Sequence, residues 1–370
     1  MLVRDAALVA LLLPVSAAAG QVPIELVSAP LGSAKARTAG IALGDVDGDG
    51  DLDAVVADGR HWPEQNWVLL NNGQGRFNTV RRLGDELGTS YAVPLGDLDG
   101  DGDLDAVVAN DRIPNQVFWN DGTGRFSAGP TIGPPRSNSR HAFLADLNGD
   151  GTLDVIAANR SEPNTLHMND GHGGFTAAGS VGEDDSDTIA TTAADFDGDG
   201  DMDVALCNRS TPSAVYLNDG DGRFGEGTII GTDEDRSVSV SAGDVDGDGK
   251  LDLVYANGGQ SNALYLGRGD GTFDHAIRLG PASDQTFCVA IADFDGDGRN
   301  DLVFGNTDTD NAIYFNRGAD GFEELRFGDP AHVTYAVAAG DVDGDGVPEI
   351  LVGNSEGPNL VYDVRRLERR

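Results

Sequence analysis

The stretch Asp45-Val46-Asp47-Gly48-Asp49-Gly50-Asp51-Leu52-Asp53 packs five carboxylates into nine residues. Like charges at that density repel, and a chain does not crowd them without a counter-charge. The odd spacing supplies the reason. Side chains at positions 1, 3 and 5 can converge on one point where glycines allow a tight turn. Position 7 adds its backbone carbonyl, and the carboxylate at position 9 closes the cage. An all-oxygen set of this size suits calcium, a hard cation that accepts irregular geometry.

The first loop thus nominates Asp45, Asp47, Asp49, Asp51 and Asp53 as ligands, with Asp51 acting through its carbonyl. The stretch recurs six times. The second copy gives Asp97, Asp99, Asp101, Asp103 and Asp105, and the third Asp146, Asn148, Asp150, Thr152 and Asp154. The fourth gives Asp195, Asp197, Asp199, Asp201 and Asp203, and the fifth Asp244, Asp246, Asp248, Lys250 and Asp252. The sixth gives Asp293, Asp295, Asp297, Arg299 and Asp301, and the seventh Asp341, Asp343, Asp345, Val347 and Glu349. Successive copies are 52, 49, 49, 49, 49 and 48 residues apart. A period near fifty residues is the mark of a repeat architecture. The loop is not an EF-hand, which needs a glutamate at position 12 and flanking helices. Position 12 here is Val56, inside the short apolar run Leu52-Asp53-Ala54-Val55-Val56-Ala57, which reads as a strand.

One repeat shows the plan. Tyr91 to Gly96 leads into the second loop as a strand of small and apolar residues, and Leu104 to Ala109 leaves it as another. Gln116 to Asn120 is a third strand, and Asp121-Gly122-Thr123-Gly124 is a turn. Phe126 to Ile132 is a fourth. The turn and its phenylalanine return at Phe77, Phe175, Phe224, Phe273 and Phe322, which read as wedges between sheets. Four antiparallel strands repeated seven times predict an all-β fold, a seven-bladed β-propeller. The last repeat stops after its third strand, Asn359 to Val364. Its missing fourth strand is expected at Ile24 to Gly32, so that the N-terminal strand completes the last blade and shuts the ring.

The motifs D-x-[DN]-G-D-G-x-x-[DE] and turns such as Asn218-Asp219-Gly220-Asp221-Gly222-Arg223-Phe224 resemble the FG-GAP or VCBS repeat family, which includes the integrin α-subunit propellers. The resemblance covers nearly all of the chain after its first twenty residues. It implies calcium between the first and second strands of each blade, about seven structural ions in all. Asn148 keeps an oxygen but loses a charge, Glu349 is longer, and Pro348 stiffens the seventh loop.

The 370 residues carry a formal net charge of −37. Seven loops with four side-chain ligand positions each, less Asn148, account for 27 carboxylates. Seven divalent ions would return only fourteen charges, so the remainder stays acidic and argues against nucleic acid or anionic membranes as partners. Residues 1–20 read as a signal peptide, with Arg4, the apolar run Ala6 to Val15 and the small residues Ala17-Ala18-Ala19. The expectation is a secreted or periplasmic protein with no transmembrane segment after cleavage. Cys207 and Cys288 fall in different repeats and are expected to be small buried hydrophobes.

Ions held by self-sufficient loops are most simply structural, so function is sought on the opposite face. The second-to-third-strand loops and the blade connections there bring His61, Trp62, Arg112, Arg140, His141, Arg160 and Arg209. Arginine pairs bidentately with carboxylates, and tryptophan stacks on sugars. The same residues could equally be solvated loop groups balancing an acidic field. Two function classes result. The first is a non-enzymatic binding or adhesion module for a carbohydrate or protein ligand. The second is a carbohydrate-active enzyme such as a polysaccharide lyase, with Arg140 and His141 as its one candidate pair. Neither the ligand nor the oligomeric state can be read from the residues.

Overall fold

The computed structural model describes residues 24–32, 36–183, 186–232 and 234–366. The signal peptide read at residues 1–20 lies outside them. Among the described residues the only helical turn is Gly318–Asp320, and no helix is long and apolar enough to cross a membrane.

In the second blade the second, third and fourth strands are Asp105–Asn110, Asn115–Asn120 and Phe126–Ile132, paired antiparallel in that order. The first strand, expected as one piece, is split into Ser90–Ala92 and Leu95–Gly96. Pro94 has no N–H to give the ladder, although its carbonyl still accepts from Val107 N at 3.1 Å. The other blades repeat the order. Their first strands are Ala36–Gly44, Ser139–Ala145, Thr188–Ala194, Ser237–Gly243, Thr286–Ala292 and Val333–Gly340. Each lies against the first strand of the next blade, and Val333–Gly340 lies against Ala36–Gly44, so the innermost strands form a ring.

The ring is joined where expected. Ile24–Pro30 pairs antiparallel with Leu360–Arg366, from Ile24 opposite Arg366 to Pro30 opposite Leu360. The seventh sheet therefore draws strands from both ends of the chain. A bond between the Asn359 amide and Thr38 Oγ1, 2.9 Å long and spanning 321 residues, adds a second tie.

Packing follows from position in the sheet. The second strand of every blade has strands on both sides and sheets on both faces. Runs such as Asp53–Asp58 and Asp203–Asn208 are buried at every residue, and between their polar ends they are apolar without alternation. Fourth strands sit at the rim and are short in the fourth and fifth blades, at Thr228–Ile230 and Ile277–Leu279. Short outer edges offer little to a foreign strand. The phenylalanines act as the wedges expected of them. Phe77 packs with Val342, Leu351 and Val361 of the seventh blade, and Phe273 packs with Ala190, Phe196 and Val215 of the fourth. Cys207 and Cys288 are buried free thiols.

Candidate functional site

Each acidic loop is shaped by its own backbone. In the first, the Asp45 carboxylate accepts from the backbone N–H groups of Gly48, Asp49 and Gly50 at 2.8, 3.1 and 2.9 Å. Gly48 and Gly50 sit at φ 75° and 93°, a region that side chains with a Cβ rarely enter. The turn brings one oxygen from each of Asp45, Asp47 and Asp53 within 4.8 Å of one another. The same holds for Asp97, Asp99 and Asp101, for Asp195, Asp197 and Asp199, for Asp244, Asp246 and Asp248, and for Asp293, Asp295 and Asp297. Two oxygens on opposite sides of a calcium ion would stand about 4.8 Å apart, from Ca–O distances near 2.4 Å. Asp47 Oδ1 is buried without a hydrogen-bond partner, an acceptor that a cation would satisfy. The donor set therefore fits a hard divalent ion.

Position 9 has a second role that spacing alone did not reveal. All seven of these carboxylates are buried. Asp53 accepts from Val46 N at 3.1 Å with one oxygen and from Asn71 N at 2.8 Å with the other. The first bond holds the loop, and the second reaches the end of the third strand. Asp105, Asp154, Asp203, Asp252 and Asp301 each make the same two bonds. Glu349 makes the first, to Val342 N at 2.8 Å. Burial pushes the carboxyl pKa of Asp53, Asp105 and Asp203 up to about 6, of Asp301 to about 7 and of Glu349 to about 8. An ion-free loop thus keeps a proton at this position to higher pH than a free carboxyl would.

The asparagine that follows the third strand continues the link into the previous blade. The Asn120 side chain donates to Val46 O at 2.8 Å, Asn169 to Leu98 O at 2.9 Å and Asn218 to Leu147 O at 2.8 Å. Asn71 closes the belt by donating to Val342 O of the seventh blade at 2.7 Å. In the fifth blade Gly267 stands in the asparagine's place, and the backbone N–H of Gly271 serves Phe196 O instead.

Two loops carry cations of their own: in the fifth, Lys250 Nζ lies 3.1 Å from Asp248 Oδ2, and the sixth goes further. Arg317 Nη1 lies 2.6 Å from Asp295 Oδ2 and 3.3 Å from Asp297 Oδ2, while its Nε holds Glu323 Oε2 at 3.0 Å. Arg299 also pairs with Asp297. Here the chain supplies cations of its own to two of the nominated ligands.

At the other end of the blades a second polar belt fixes the strands. A first-strand hydroxyl donates to the residue ending the second strand, as Ser139 Oγ does to Asn159 Oδ1 at 2.7 Å and Thr188 Oγ1 to Asn208 Oδ1 at 2.8 Å. In six blades that acceptor is asparagine, and in the first it is Asp58, held by Thr38 Oγ1 at 2.7 Å. Burial pushes the Asp58 carboxyl up to about 7.

Inside this belt the central channel opens into a cavity of about 410 Å³ to which all seven blades contribute. Arg60, Arg140, Arg160 and Arg209 stand at its mouth, with His61, Tyr91, His141, Phe287 and Tyr335. Arg60 reaches from the first blade to lie over the Tyr335 ring of the seventh, 3.4 Å from its centroid, with Phe287 of the sixth at 5.7 Å. Its burial depresses the guanidinium pKa. Arg140 lies 4.4 Å from the Tyr91 centroid and 3.3 Å from Asp111 Oδ1. Arg160 is paired with Asp187 at 3.0 Å. No ion pair is made by Arg60 or Arg209 among the described residues.

Five of the seven nominated residues, His61, Arg140, His141, Arg160 and Arg209, line this cavity. Trp62 and Arg112 do not. Trp62 projects from its loop with 64% of its surface exposed. Arg112 takes a left-handed backbone at φ 69°, and its side chain is 77% exposed beside Asp111. Sequence reasoning passed over Arg60, Phe287 and Tyr335. Arg60 sat inside the nominated loop, but Phe287 and Tyr335 belong to first strands far along the chain and gave no signal.

Residues 45–108, 97–157, 146–206, 195–255, 244–304 and 293–352 match the FG-GAP-like repeat. No curated protein sequence matches the chain significantly. Among solved structures the chain is similar to BBS1N in its complex with ARL6DN, soaked with mercury, at 12% identity and a TM-score of 0.62. That match covers 92% of this chain and 95% of the other. The same complex soaked with lead gives 11% identity and a TM-score of 0.64, covering 92% and 97%. Likeness at such low identity speaks for the fold. With six consecutive matches running from Asp45 to Val352, the chain belongs to the FG-GAP-like repeat family and folds as a β-propeller.

Proposed function

We propose that the chain is an exported, calcium-stabilised binding or adhesion module that holds a carbohydrate or protein ligand on the face opposite its acidic loops. The observation carrying this reading is the division of labour between the two ends. Five of the loops draw ligand oxygens together by their own turns. The varied chemistry gathers instead at the channel mouth, where all seven blades converge. Calcium at the loops would neutralise the crowded carboxylates and add its binding energy to folding. A protein ligand gains some support from BBS1N, a propeller relative in fold that was solved in complex with ARL6DN.

The lyase alternative is less well served by its own candidate pair. Arg140 is already held by Asp111 and the Tyr91 ring, so it has little freedom to neutralise a uronate. Burial pushes His141 down to about 4, which leaves it a weak base. Binding can be tested with the mature protein, in millimolar calcium, on a glycan array and against surface proteins of its source. A retained ligand that is lost on Arg160→Ala and kept on Asp199→Ala is the expected result. Unsaturated products from a uronate polymer, lost on His141→Ala, would favour the enzyme instead.

A further inference from the structure

We propose that the channel mouth is a site for one small organic monoanion, a carboxylate carried on an apolar body. This rests on the reading of the face opposite the loops as the binding face, and names the chemistry that face would take. Three observations converge on it. Arg60 and Arg209 lack an acidic partner among the described residues, in a chain with 37 more acidic than basic groups. Such a chain has carboxylates to spare, and Glu234 and Asp235 line a neighbouring pocket with Arg209, yet among the described residues none forms an ion pair with either cation. Arg60 is also half-buried and held in place by the faces of Tyr335 and Phe287, so its orientation is set before any ligand arrives. Finally, His141 Nδ1 is buried without a hydrogen-bond partner at the same cavity, a polar atom left open.

The body of the ligand follows from the wall beneath. Below the arginines the channel is lined by Ile41, Phe143, Ile189 and Val337, together with the hydroxyl side chains of Thr192, Ser239 and Ser241. Three hydroxyls cannot serve all the hydroxyls of a sugar, and a buried hydroxyl without a partner is costly, whereas the apolar side chains need no polar partner. The wall suits an aliphatic or aromatic group. The volume, about 410 Å³, is that of a pocket for one small molecule rather than a polymer. The charge of the ligand follows from the whole molecule. A field this acidic opposes each negative charge brought near it, so one charge matched to two guanidinium groups without an ion pair among the described residues is favoured over two or three. A carboxylate also fits guanidinium in bidentate fashion. The aromatic faces do not serve as stacking platforms, since Tyr335 and Tyr91 are already covered by Arg60 and Arg140.

Titration calorimetry on the mature, calcium-loaded protein tests this with 3-phenylpropionate, its neutral amide, phenyl phosphate and galacturonate. The expected result is saturable binding of 3-phenylpropionate at one site per chain, at least tenfold weaker for the amide. Arg60→Gln and Arg209→Gln should each weaken it at least tenfold. Arg209 is exposed, so its variant keeps the test valid if Arg60→Gln disturbs folding. Equal binding of acid and amide, or binding indifferent to Arg209→Gln, would overturn the proposal. So would tighter binding of phenyl phosphate or galacturonate, or no binding at all. A glycan or protein ligand that survives Arg209→Gln alongside such a failure would leave the binding-module reading standing and remove only this site.

Discussion

At the loop end of the propeller every blade repeats one nine-residue pattern, and most of its bonds recur from blade to blade. At the channel mouth the blades diverge: the third and fourth share an arginine at one position, Arg160 and Arg209, and the sixth and seventh an aromatic ring, Phe287 and Tyr335, while the remaining groups come from single blades. Arg60 comes from the first blade, Arg140 and Arg160 from the third, Arg209 from the fourth, and the aromatic rings from the second, sixth and seventh. The repeated end faces its carboxylates toward one another and ties strand to strand through position 9. The varied end faces cations into a shared space. Repetition serves the fold because each blade meets the same packing problem. Departure from repetition serves binding because a ligand on the axis meets all seven blades at once.

The largest expected effect separates the two ends outright. Chelation of calcium should lower the melting temperature by on the order of 10 °C or more, since crowded carboxylates would then repel. An unchanged melt in chelator would break the comparison at its root. The effect should depend on pH with a definite sign. Burial raises the position 9 carboxyls, to about 6 for Asp53 and about 8 for Glu349, so the ion-free fold binds extra protons between roughly pH 4 and pH 8. Its stability therefore falls as pH rises through that window, while the calcium-loaded form gains ligands. The gap between loaded and chelated melts should be widest near pH 8 and narrow toward pH 5. A gap that widens on acidification would contradict this.

A sharper test lies within one loop. Asp203→Ala removes a ligand position and also leaves the N–H groups of Phe196 and Asn218 without their acceptor. It should cost about 3–5 kcal/mol and remain destabilising in chelator. Asp199→Ala should cost less in calcium and become nearly neutral in chelator. Equal behaviour of the two variants, measured by denaturant unfolding with and without calcium, would show that position 9 has no separate structural part.

The second polar belt supplies a third test. Asp58 is the one aspartate where six other blades have asparagine, and burial holds its carboxyl near 7 against an ordinary value of 3.8. Its raised pKa means that stability falls as pH climbs from about 4 through 7, where the charge must form in a buried place. Asp58→Asn should therefore stabilise the fold above pH 7, by at most about 4 kcal/mol at about 1.4 kcal/mol per pKa unit, with the gain vanishing near pH 4. The sixth loop offers a smaller effect. Arg317→Ala removes a cation that pairs with Asp295 and Asp297, and should raise calcium affinity there as read by titration calorimetry. The smallest belongs to the mouth. Arg209→Gln should move the melting free energy by less than about 0.5 kcal/mol, because its side chain is exposed and bears no ion pair among the described residues.

How far the residues could be read ahead follows the same division. The loops were legible because their chemistry is local: nine consecutive residues contain the turn, the ligands and the closing carboxylate. The propeller was legible because its period repeats, and the N-terminal strand because the last repeat lacked one. Pro94 split a strand that propensity would have left whole, a local rule given too little weight. The bonds from position 9 to the third strand were not visible, since Asn71 and Asn218 lie fifteen or more residues beyond the carboxylates they serve. The mouth was half legible. Arginines in an acidic chain drew attention, but Trp62 and Arg112 share those loops and turn outward.

Seven acidic turns at a near-constant step determine the strand order, the positions of the loops and the identity of the wedge residues, because each repeat carries the instructions for its own blade. The tertiary structure alone decides what shares the axis. Arg60 lies more than two hundred residues from Phe287 and Tyr335 and meets them only when the ring closes, at one point where the ends of all its blades meet.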